Sequence, residues 1–102
     1  MSEQDFFSIY LPALEKALAN DHVNHGFNVL GPDWYIENKT MRKKIDAFEE
    51  KNFEKYQALF ESISLYFDAK SHNFDEINGI KTSEYKSRLI HQISLYKKKF
   101  TL

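Results

Sequence analysis

The stretch TMRKKIDAFEEKNFEKYQALFESISLYFDA, residues 40–69, decides the fold. Met41, Ile45, Phe48, Tyr56, Leu59, Ile63 and Tyr66 recur mostly every three or four residues, the period of one face of an α-helix. Phe53, Phe60 and Phe67 add a second apolar line spaced by seven. A helix apolar on two adjacent stripes is expected at the centre of its domain. The pattern skips Asn52, and four polar residues gather at 49–52. An unbroken helix of this span would be about 45 Å long, so two helices meeting at a bend are expected.

Upstream, Phe7, Leu11, Leu14 and Leu18 mark another helical face. Ser2 is placed to cap it, with Glu3 and Asp5 in the first turn, where the helix dipole favours acids. Pro12 removes one donor inside this run and predicts a kink. The helix is expected to stop near Ala19 or Asn20. Residues 27–30 and 34–37 flank Gly31-Pro32-Asp33 and predict a short hairpin or an irregular loop. The competing reading makes Pro32 the first residue of a helix through Trp34.

Downstream, residues 71–83 read as a connection, with Asn78-Gly79 as a tight-turn signal. Thr82 or Ser83 then caps a last helix striped by Tyr85, Leu89, Ile93, Tyr96 and Phe100. The fold class is therefore mainly α: a small single-domain bundle of three to four helices over residues 1–102, with a short β-hairpin near residues 27–37.

Composition narrows the chemistry. There is no cysteine, which removes disulfides, thiolate nucleophiles and zinc-thiolate sites. The opening MSEQDFF has no basic and apolar leader pattern, and no apolar run is long enough for a membrane span; a cytoplasmic protein is expected. There is no glycine-rich phosphate loop and no nucleophile elbow. Asp75 and Glu76, adjacent before a turn, are expected to point apart into water rather than form an acid–base pair. His22 and His25 have a spacing that metals use, but Asn20 and Gly26 beside them argue for a loop with solvated or capping histidines. No enzyme, cofactor or metal is expected.

Charge is sorted along the chain. Residues 1–38 carry six acids against one base, residues 81–102 six bases against one acid, and the whole chain is −1. Such asymmetry bears on what approaches a protein, not on how it folds. Aromatic residues crowd the acidic part, and Tyr and Trp anchor interfaces. Asp21, Asp33, Trp34, Tyr35 and Glu37 are accordingly the expected partner-binding residues, with the acids steering a basic partner and the rings supplying buried area.

The expected function is that of a protein-binding protein acting by occlusion. In size, class and charge layout the chain is similar to small immunity proteins that block basic nuclease toxins, although no residue motif carries that comparison. The alternative is a nucleic-acid-binding or regulatory module using Lys86, Arg88, Lys97, Lys98 and Lys99 on the last helix. A pI of 6.4 weighs against it. A tyrosine stripe left exposed on that helix would also suit a homodimer.

Overall fold

A computed structural model describes residues 1–19 and 31–102, with Trp34 described by its backbone alone. The described residues form four α-helices, a 3-10 turn and a two-strand hairpin. Helix α1 spans Glu3–Ala19. The Ser2 hydroxyl accepts from the Asp5 amide at 3.0 Å, closing the expected cap. The helix continues across Pro12, whose ring lies on the solvent side.

Eight residues of α1 are buried: Phe6, Phe7, Tyr10, Leu11, Ala13, Leu14, Ala17 and Leu18. This helix, not the 40–69 stretch, is the central one. Adjacent phenylalanines explain its position. Phe6 stacks on Phe48 with centroids 4.1 Å apart and on Tyr10 at 4.8 Å. Phe7, about 100° further round the helix, stacks on Tyr96 and Phe100, each at 4.9 Å. One helix thus anchors neighbours on two sides.

The 40–69 stretch divides as expected. Helix α2 runs Lys39–Lys51 and α3 runs Gln57–Ser71. Asn52 ends α2: its backbone amide and its side-chain Nδ2 both donate to the Phe48 carbonyl, at 2.9 and 3.0 Å. Helix α2 buries only Ile45 and Phe48, whereas α3 buries Leu59, Phe60, Ile63, Tyr66, Phe67 and Ala69. Of the seven-spaced phenylalanines, Phe53 falls in the bend and stays 41% exposed.

The hairpin sits elsewhere than expected. The described part of 27–37 forms a 3-10 turn, Pro32–Tyr35, with Pro32 at its first position. Proline lacks an amide hydrogen and its φ is preset for a helical start, which favours this outcome. The strands are β1, Glu76–Ile77, and β2, Ile80–Lys81, paired antiparallel as Glu76 with Lys81 and Ile77 with Ile80. Asn78 and Gly79 take φ of 51° and 81°, the left-handed pair a two-residue hairpin turn requires.

Helix α4, Thr82–Lys99, starts without a side-chain cap. Thr82 instead donates from its amide and its hydroxyl to the Asp75 carbonyl, at 2.8 and 3.2 Å, tying the helix to the base of the hairpin. Leu89 and Ile93 are buried, and Tyr85, Tyr96 and Phe100 pack against the core. The stripe expected as a dimer surface thus faces inward, and the exposed apolar side chains of α4 are Ile90 and Leu95. Both α3 and α4 close with a residue of positive φ, Asn73 at 56° and Thr101 at 55°. The amides beyond them return to Ala69 and Lys97, satisfying carbonyls the helices leave open. Among the described residues no helix is long and apolar enough to cross a membrane.

Candidate partner-binding site

The site is built on the 3-10 turn. Ile36 follows it, buried, and donates its amide to the Asp33 carbonyl at 3.1 Å. Arg42 holds that region to α2: its Nε and Nη2 both donate to the Ile36 carbonyl, at 3.1 and 2.9 Å. The Asn38 side chain caps α2 through the Met41 amide at 3.0 Å. The chain from 33 to 42 is therefore fixed at both ends, and the position of Asp33 relative to α2 is set.

That position brings carboxylates together. Asp33 lies against Asp46, and Glu49, one helical turn along α2, faces both. Burial first, then the nearby Asp33 and Asp46 charges, push Glu49 up to about 7. Asp33 keeps contact with solvent, but partial desolvation of its carboxyl raises its pKa, as does Asp46, while Arg42 acts in the opposite direction. Tyr10, from α1, sets its hydroxyl beside Glu49 and is only 3% exposed; burial and the same acids raise its pKa well above the ordinary tyrosine value. Next to these groups a groove of about 460 Å³ runs between α1, the turn and α3. Phe60, Ile63 and Phe67 contribute its apolar lining, and Asp33, Glu49 and Asp68 its acids.

Of the residues expected from sequence, Asp33 and Glu37 are exposed. Tyr35 is half-buried and packs against the core, so it serves the fold as well as the surface. Asp21 lies outside the described residues, as do His22, His25 and the side chain of Trp34. Sequence reading placed neither Glu49 nor Tyr10 here, and it gave Asp46 a different role, as an ion-pair partner of Arg42 or Lys43 on the polar face of α2. Their signal was present: Asp46 and Glu49 stand three apart, each next to a buried residue of α2, Ile45 or Phe48, so both occupy the border of its buried face.

The basic alternative is arranged differently. Lys97 Nζ lies 2.5 Å from Glu15 Oε1. Arg88 pairs with Glu84 at 3.1 Å. Lys99 stands over the Tyr56 and Phe100 rings, at 5.8 and 5.4 Å. Lys86 borders a groove with Glu15 and Ile90, and Lys98 is exposed. Among the described residues no three His, Cys, Asp or Glu side chains are grouped so that they could hold a metal ion. Compared with known proteins, the chain matches no family model, no curated protein and no solved structure.

Proposed function

We propose that this protein binds a basic protein partner and blocks it by occlusion, using the face built from the 3-10 turn and α2. The reading is carried by the convergence of Asp33, Asp46 and Glu49. Like charges held side by side cost stability, and perturbed carboxylates concentrate at functional sites. Arg42, the cation acting on Asp33, is engaged with a backbone carbonyl. A cationic surface docking here relieves the repulsion, and that relief is gained only in the complex. Glu37, four residues after Asp33, is also exposed. A cytoplasmic inhibitor or immunity protein against a nuclease toxin is the kind of protein this reading describes, its acids mimicking the charge of phosphates. A stable complex would bury about 1,200–2,000 Å².

The test uses the whole chain as bait beside its Asp33→Lys and Asp46→Lys variants. Retention of a basic protein in a one-to-one complex by the wild type, and its loss with either folded variant, is the expected result. Equal retention by all three would overturn the reading. The nucleic-acid alternative uses Lys86, Arg88, Lys97, Lys98 and Lys99, spread along α4. It predicts an oligonucleotide shift at low salt whose salt slope falls when Lys97, Lys98 and Lys99 are replaced.

A further inference from the structure

The groove beside the acidic residues combines two surfaces that a plain acidic patch lacks. Phe60, Ile63 and Phe67 give it an apolar lining from α3, and Asp33 and Glu49 add carboxylates from the turn and α2. Tyr10 completes the wall from α1. An apolar stem carrying a cationic, planar, multiply donating head matches all of these at once. Lysine offers the stem but only a compact point charge, whereas a guanidinium presents a rigid fork of donors and stacks on aromatic faces.

We propose that the groove takes one arginine side chain of the partner, its methylenes along Phe60, Ile63 and Phe67 and its guanidinium between the carboxylates of Asp33 and Glu49. This rests on the reading of the face as a docking surface for a basic protein and names the anchor that enters it. Charge complementarity selects the occupant, because the acids around the groove come from three separate elements.

A consequence is that capture is linked to protons. Among the described residues, the groups facing Glu49 are Tyr10 from α1, Asp33 from the turn and Asp46 on its own helix, with Arg42 acting on Asp33. Asp68, from α3, lines the same groove, with His72 Nδ1 3.6 Å from its carboxylate. In the free protein Glu49 titrates at about 7. A guanidinium favours its ionised form, so affinity increases from pH 6 to pH 8. For one group of that pKa the gain is about tenfold, the ratio of the ionised fractions at the two pH values.

The experiment titrates acetyl-arginine amide, and its uncharged isostere acetyl-citrulline amide, into the isotopically labelled protein at pH 6 and pH 8, followed by amide chemical shifts. Saturable shifts around Asp33, Glu49 and Phe67 with the arginine compound only, about tenfold tighter at pH 8, are expected. Glu49→Gln should fold, bind more weakly at pH 8 and lose the pH dependence. Equal shifts with citrulline, shifts confined to another face, no shifts, or pH-independent binding would each overturn the proposal. The two readings fail separately. A partner complex abolished by Asp33→Lys without any arginine response removes this pocket and leaves the docking face. An arginine response without any basic partner removes the docking function and leaves the pocket.

Discussion

Lys97 Nζ sits 2.5 Å from Glu15 Oε1, joining the basic end of the chain to its acidic beginning. Lys55 pairs in the same way with Glu3 at the other end of α1. The charge asymmetry of the sequence is thus partly cancelled in space: Glu3 and Glu15 of α1 are paired, while Asp5 stays exposed. The side chains of Lys97 and Glu15 remain 39% and 44% exposed, so water and salt screen the pair. Lys97→Ala is expected to cost only about 0.2–1 kcal/mol in urea unfolding, and less in high salt.

Glu49 gives the stability of the protein a pH dependence of unusual sign for a carboxylate. Its pKa in the folded chain is about 7, against 4.5 for an unperturbed glutamate. A raised acid binds its proton more tightly when folded. Its contribution is therefore favourable below pH 4.5 and is lost as pH rises to 7. Asp33 shifts in the same direction. Glu49→Gln, which keeps the shape and removes the charge, should stabilise the protein at pH 8 by about 1 kcal/mol, reduced from the full shift because the group keeps contact with solvent. At pH 4 the two proteins should unfold alike. A Gln variant less stable than wild type at pH 8 would show that the Glu49 charge is compensated in the fold.

Much of this architecture was legible because local rules and tertiary packing agree. The three- and four-residue spacing of Leu11, Leu14 and Leu18, or of Leu89 and Ile93, is buried as read. Asn52 interrupts the pattern and ends α2, and Asn78-Gly79 makes its turn. The centre of the bundle was harder to see. Burial of Phe6 beside Phe7 depends on which helices flank α1, and periodicity on one chain segment carries no such information. The site was only half legible for the same reason. Asp33 was conspicuous after Gly-Pro, but its companions Asp46 and Glu49 reach it through the Arg42 clamp on Ile36, a contact between segments. The α4 lysines read as a free basic end, yet Lys97 and Lys99 are engaged with Glu15 and with aromatic rings.

The two adjacent phenylalanines of α1 should fail differently. Phe6 is fully buried and stacks on Phe48 of α2, one of only two buried residues on that helix. Phe6→Ala is expected to cost about 3–5 kcal/mol, a large part of the stability of a small domain. Because α2 has so little else holding it, hydrogen exchange in this variant should accelerate first in α2. In Phe7→Ala the loss should appear first in α4, where Tyr96 and Phe100 lose their stacking partner. The same exchange pattern in both variants would mean that the helices open as one unit.

Arg42 tests whether the site depends on geometry or on charge alone. Both of its bonds end on the Ile36 carbonyl, so it positions the turn, and its charge opposes a cationic partner. Arg42→Lys keeps the charge and removes the fork. If geometry governs, this variant should lose about 1 kcal/mol of stability and bind acetyl-arginine amide several-fold more weakly, because Asp33 is no longer held at the groove. Arg42→Gln removes the repulsion together with the clamp. By Coulomb's law alone it should bind the cation more tightly than wild type. Weaker binding by both variants identifies positioning as the dominant role. Tighter binding by Arg42→Gln with unchanged binding by Arg42→Lys would show that the face works through net charge, with the arrangement of the turn immaterial.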